Sequence, residues 1–137
     1  MVYSTGGFCA VNLAVHHPER YRSAVSLSGY FRALTDPTTG PLFKTLKDRQ
    51  YNSPLLQLST PRPIVNVLAI CGTQDHRPLR DATAFVLAAR GTAVHVQLHL
   101  APGGHNFPFW TNQFPYAFSY LGTVLPAPTQ APALSTK

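Results

Sequence analysis

At 137 residues, with 45% hydrophobic and 12% charged side chains, the chain has the make-up of a folded domain; disorder throughout is excluded, since it needs low hydrophobicity and high charge. No run of about 18 apolar residues is available to span a membrane, and no basic-then-apolar signal peptide opens the chain, so the location is left open, cytoplasmic only by default. Lys and Arg number 11 against 5 Asp and Glu, a formal +6, but the bases are scattered without a basic block or an RNA-binding aromatic motif, and nucleic acid is not an expected partner.

Taken in chain order, residues 6–17 place Phe8, Val11 and Ala14 or Val15 on one face at helical spacing, and Pro18 follows the helix end. Ser23–Ser28 is a short, apolar, β-compatible run closed by Gly29. Thr35–Gly40 (TDPTTG) carries turn residues, and 41–58 predicts short helices interrupted at Asn52-Ser53-Pro54. Pro61 and Pro63 bracket the entry to Ile64–Cys71, a continuous β-branched run that predicts a strand buried on both faces. Residues 80–90 form an amphipathic helix with Gly91 as its C-terminal cap, and 94–100 alternate as a strand with histidines on one face. The aromatic-rich stretch 108–121 reads as one final helix despite Pro115. The PAPTQAPALSTK stretch, 126–137, lacks core-forming residues, so the expected organisation is a domain over 1–122 and a disordered tail over 123–137. Cys9 and Cys71 each read as a small buried hydrophobe.

Strands alternating with helices define a parallel α/β architecture, in which functional groups gather on loops at the carboxyl ends of strands. Three such loops stand out. In Tyr3-Ser4-Thr5-Gly6-Gly7, a serine at a tight strand-to-helix turn is either a helix N-cap or a lifted nucleophile with backbone N–H groups beside it. In Cys71-Gly72-Thr73-Gln74-Asp75, the carboxylate either caps the next helix or orients an imidazole. Of the five acidic residues, Glu19, Asp36, Asp48, Asp75 and Asp81, Asp75 alone follows a central strand. In Pro102-Gly103-Gly104-His105-Asn106, an imidazole on a Gly-rich loop can take a proton from a nearby hydroxyl. His16, His17, His95 and His99 read as surface or packing residues, and His76 as solvated. Ser, then Asp, then His is the chain order of the α/β-hydrolase triad, and the 30 residues from Asp75 to His105 hold one helix and one strand. No His/Cys pair has zinc-ligand spacing, so neither metal nor cofactor is expected.

The stretch YSTGGFCAVNLAVHHPERYRSAVSLSGYF, with CGTQDH and PGGHNFPFW, resembles actinobacterial esterases related to esterase D and the antigen 85 mycolyltransferases over about residues 2–122. The resemblance implies the C-terminal part of an α/β-hydrolase fold with its N-terminal strands missing. It implies Ser4 as nucleophile, His105 as general base and then acid, Asp75 as the orienting carboxylate, and the Thr5 N–H as an oxyanion donor. The implied reaction is hydrolysis of a small-molecule carboxylic ester through an acyl-enzyme, with mycolyltransferase-type acyl transfer and an inactive fragment as alternatives.

Two departures carry expectations. The family elbow reads G-x-S-x-G, and Val2 stands at its first Gly, which should strain the turn or displace Ser4. The strands and helices that precede the elbow in this fold do not precede Ser4, which predicts loss of the second oxyanion donor, weak activity, and an unpartnered edge on the Ser23–Ser28 strand open to self-association. Phe107, Phe109, Trp110 and Phe114 either wall an apolar pocket near His105 or pack the core.

Overall fold

The computed structural model describes residues 1–36, 40–58 and 64–125. The middle of the TDPTTG turn, Pro61, Pro63 and the PAPTQAPALSTK stretch lie outside the described residues.

Continuous apolar runs place the sheet between two layers. Strands β1 (Val2–Tyr3), β2 (Ser23–Leu27), β5 (Val65–Gly72) and β6 (Val94–Ala101) form one parallel sheet in the order β1-β2-β5-β6. Helices α1 (Thr5–His16), α3 (His76–Ala89), α4 (Phe107–Asn112) and α5 (Phe114–Val124) alternate with them. A two-residue hairpin, β3 (Thr35–Asp36) with β4 (Gly40–Pro41), α2 (Leu46–Tyr51) and a 3-10 turn (Pro54–Leu56) fill the connection from β2 to β5. Among the described residues no helix is long and apolar enough to cross a membrane.

Period-two alternation divides β5 between the layers. Val65, Val67, Ala69 and Cys71 pack with Val11, Ala14 and Val15 of α1 and Ala82, Phe85 and Ala89 of α3. Leu68 and Ile70 pack with Val25 and Leu27 of β2, Phe109 and Trp110 of α4, and Ala117 of α5. The two-sided burial expected of this strand is present. Phe31 stacks on Phe85 at 4.3 Å between ring centroids, fixing the start of the β2–β5 connection against α3.

Several boundaries differ from the sequence reading, each for a local reason. Helix α3 begins at His76 rather than near Arg80, because Pro78 sits in the first turn, where a missing N–H leaves no helical bond unmade. The aromatic segment is two helices, not one: Gln113 ends α4, and Pro115 is tolerated at the start of α5, which runs on to Val124. Gly91, at φ 74°, follows α3 as expected of a left-handed cap. Cys9 is exposed, not buried, because the inward face of α1 is Gly7, Phe8, Val11, Ala14 and Val15. The Ser23–Ser28 strand is not left unpartnered: Val2 and Tyr3 pair with Ser26 and Leu27, placing β2 between β1 and β5.

Cys71 is almost wholly buried, and burial, with Asp75 and Asp81 adding to it, pushes its thiol pKa up from 9.0 to about 12. The folded chain therefore holds a neutral thiol where the unfolded chain holds a thiolate. Stability contributed by this group is complete below pH 9.0 and is lost as pH rises toward about 12. Urea unfolding midpoints measured from pH 8 upward should fall across that window, and Cys71→Ala should fall less steeply; equal slopes would remove Cys71 as the cause.

Candidate active site

The sheet ends at one edge in three loops, and backbone hydrogen bonds fix them against one another. Ser4 N–H donates to the Leu27 carbonyl at 2.8 Å, so the residue after β1 stays tied to β2. The chain reverses there into α1 with Ser4 at φ 52°, a left-handed conformation that a side-chain-bearing residue adopts at a cost of about 1–3 kcal/mol. Val2 does not displace Ser4. The space it needs comes from Gly6, where an added Cβ would lie 3.1 Å from the Val2 Cβ.

The other two loops leave from Gly72 and Ala101, the last paired residues of β5 and β6. Thr73 N–H donates to the Ala101 carbonyl at 3.0 Å, and Gln74 N–H to the Gly103 carbonyl at 2.9 Å. This approach requires glycine at 72, since an added Cβ would lie 2.2 Å from the Gly103 oxygen. Gly103 itself has φ 145°, and a Cβ there would lie 2.5 Å from the Phe109 ring. The two loops can touch because Gly72 has no side chain, and α4 can pack on the second loop because Gly103 has none.

The result is a continuous line of polar contacts. His105 Nδ1 lies 2.8 Å from Asp75 Oδ2, and His105 Nε2 lies 3.0 Å from Ser4 Oγ. Asp75 stands at the N-cap position of α3, yet its side chain makes no capping hydrogen bond and turns to His105 instead. The Asp75 side chain is 7% exposed and that of His105 43%, so the carboxylate end is buried and the hydroxyl end is open. Trp110 meets the His105 ring edge-on at 5.0 Å, and Tyr3 stacks on Trp110 at 4.5 Å.

Thr5 opens α1, so its N–H belongs to the first turn, where no helical carbonyl is available to receive it. Its side-chain oxygen accepts a hydrogen bond from the Tyr30 hydroxyl at 3.1 Å. Burial raises the Tyr30 pKa and keeps that donor protonated.

The remaining candidates separate from this line. Asp48 bonds the Thr45 hydroxyl at the start of α2, Asp81 accepts from the Phe31 N–H, and Glu19 pairs with His17 at 3.6 Å. His16 bonds the Tyr51 carbonyl, His99 stacks on Tyr116, and His76 and His95 are exposed. Phe109, Trp110 and Phe114 pack the core, whereas Phe107 is 57% exposed beside Tyr3 and Trp110. Among the described residues no group of three or more His, Cys, Asp or Glu could hold a metal ion. Two supporting residues escaped the sequence reading. Asn106 caps α4 by accepting from Phe109 N–H at 2.9 Å, and Tyr30 steadies Thr5. Asn106 was detectable, since an Asn with Pro two residues later is a helix-start signal; Tyr30 reaches Thr5 only through the fold.

These elements and loops define a parallel α/β sheet with a serine, histidine and carboxylate at its carboxyl edge. The family model described as "Putative esterase" matches residues 3–121, and the chain belongs to that esterase family. None of the curated proteins matches it significantly. Among solved structures it is similar to an S-formylglutathione hydrolase from Agrobacterium tumefaciens, with a TM-score of 0.74 and 18% identity over 90% of this chain and 48% of the other. It is also similar to the S-formylglutathione hydrolase FrmB from Staphylococcus aureus, with a TM-score of 0.68 and 22% identity over 87% of this chain and 52% of the other. The Mycobacterium tuberculosis protein MPT51 matches with a TM-score of 0.61 and 19% identity over 90% of this chain and 58% of the other. These likenesses establish an α/β-hydrolase-type fold, of which the chain spans about half the length found in those structures.

The loop packing generates a stability prediction. Gly72→Ala should lower unfolding free energy by about 1–3 kcal/mol, the usual cost of overpacking a filled site. Gly122→Ala, on α5 with nothing within 4 Å of the new Cβ, should raise it by about 0.5–1 kcal/mol through helix propensity. Urea denaturation of both variants checks the contrast; effects of the same sign would contradict the close approach at Gly72.

Proposed function

We propose that the chain carries a serine-esterase centre in which Ser4 is the nucleophile, His105 the general base and then acid, and Asp75 the group that holds the imidazole. The single observation behind this reading is the unbroken contact line from Ser4 Oγ through His105 to the buried Asp75 carboxylate. Membership of the esterase family supports the reaction class.

In this reading His105 Nε2 takes the Ser4 proton as Oγ bonds to the ester carbonyl carbon. Asp75 fixes Nδ1–H as the other proton and offsets the charge of the imidazolium. The carbonyl oxygen becomes an oxyanion and is met by the Thr5 N–H at the start of α1, where the helix dipole also favours negative charge. Collapse breaks the bond to the alcohol oxygen, and His105 returns its proton to that leaving group. Water then enters, loses a proton to His105 and attacks the acyl carbon, releasing acid and restoring Ser4.

Thr5 is the one oxyanion donor this reading identifies. Losing such a donor costs about 2.7–4 kcal/mol of transition-state stabilisation. Purified chain should hydrolyse p-nitrophenyl acetate, and Ser4→Ala should reduce kcat by a factor of about a thousand or more while far-ultraviolet circular dichroism stays the same. Equal turnover by wild type and Ser4→Ala would sink the assignment.

A further inference from the structure

Bases that are scattered in sequence converge in one place. Arg77 and Arg80 lie three apart on α3 and share a face, and Arg32 reaches the same cavity from the connection after β2. The cavity has a volume of about 340 Å³, within the range of small-molecule sites, and Leu34 supplies an apolar wall. Asp81 also borders it, but its carboxylate is engaged by the Phe31 N–H. No ion pair is found for Arg32, Arg77 or Arg80 among the described residues. Among the described residues three guanidinium groups face one carboxylate, a net positive lining, and bringing like charges together costs energy unless an anion joins them. Arg forks match the two oxygens of a carboxylate or phosphate.

Two of the cavity's lining residues connect it to the reaction centre. Tyr30 lines it, and the Tyr30 hydroxyl donates to Thr5, the residue after Ser4. Arg77 stands two residues after Asp75 in the first turn of α3. We infer that this cavity is a subsite for an anionic oxygen group on the ester substrate, with Arg32, Arg77 and Arg80 as its ligands and Ser4 acting on the ester bond of the same molecule. The inference rests on the proposed role of Ser4. It names the substrate class, an ester that carries a carboxylate or similar oxyanion a short chain away from the scissile bond.

Two ester pairs test it. One places the charge on the acyl side, p-nitrophenyl hemisuccinate against p-nitrophenyl pentanoate. The other places it on the alcohol side, 4-acetoxybenzoate against its methyl ester. The readout is the ratio of kcat/KM values, charged over neutral, in wild type and in Arg77→Gln/Arg80→Gln. In at least one pair the ratio should fall tenfold or more in the variant, and Arg77→Lys/Arg80→Lys, which keeps charge but loses the fork, should fall in between. Ratios that match wild type in both pairs overturn the subsite. Inorganic phosphate is the free-anion arm: if its binding by calorimetry weakens in the variant while both ratios hold, the cavity takes free anions only and the substrate subsite is again overturned. If wild type turns over none of the four esters, the reading of Ser4 fails. The cavity is then decided by binding of monomethyl succinate, which must be at least tenfold weaker in the glutamine variant for the anion site to stand.

Discussion

The close approach of Gly72 to Gly103 is the constraint on which the site depends. Strands β5 and β6 pair in register along their full length, from Val65 with Val94 to Gly72 with Ala101. Their loops therefore leave the sheet side by side. Two backbone bonds, from Thr73 to Ala101 and from Gln74 to Gly103, then lock one loop to the other. Asp75 and His105, one residue and two residues beyond these bonds, can hardly avoid meeting. A side chain at 72 would collide with the Gly103 carbonyl and force the loops apart. The 2.8 Å contact between Asp75 and His105 is in this sense a product of the missing Cβ at Gly72.

Ser4 is held by a different device. Its N–H is tied to β2 and its backbone is left-handed, so the side chain stands at the sheet edge rather than in either packed layer. The two sides of the site differ in burial for a physical reason. Asp75 lies beneath the loops and above the packed end of β5, while the imidazole face toward Ser4 remains open. A buried carboxylate needs hydrogen-bond partners, and with its capping role unused, His105 is the partner the structure gives it. Trp110 meets the imidazole edge-on and is itself backed by Tyr3 and Phe107.

Much of this was legible in sequence because it rests on local signals. The buried strand Ile64–Cys71 showed as a continuous β-branched run, and its observed range is Val65–Gly72. The loops carrying Ser4, Asp75 and His105 showed as Gly-containing turns after strands, and the structure brings the three side chains together. Failures came where a local rule has an exception at helix starts. Pro78 looks like a breaker but sits in the first turn of α3, which begins four residues earlier than expected; Pro115, read through as the interior of one helix, sits in the first turn of a second. Cys9 was read from its apolar neighbours, whereas the orientation of α1 turns it outward. Val2 predicts a strained turn or a displaced Ser4; Ser4 sits at φ 52°, and the room that Gly6 gives Val2 across the turn is a tertiary relation no local rule shows. The gathering of Arg32, Arg77 and Arg80 was invisible for the same reason: the charges lie on two segments that meet only once β2 and α3 are packed.

The central claim is that the hydroxyl of Ser4, held against His105, is a working nucleophile. Reaction with a fluorophosphonate probe followed by peptide mapping tests it most directly, because the reagent bonds covalently to an activated serine far faster than to an ordinary hydroxyl, and mapping shows which residue carries it. The account predicts one phosphonyl group per chain, located on Ser4 and lost in His105→Ala. An unmodified chain, or a label on another residue with Ser4 intact, would contradict it.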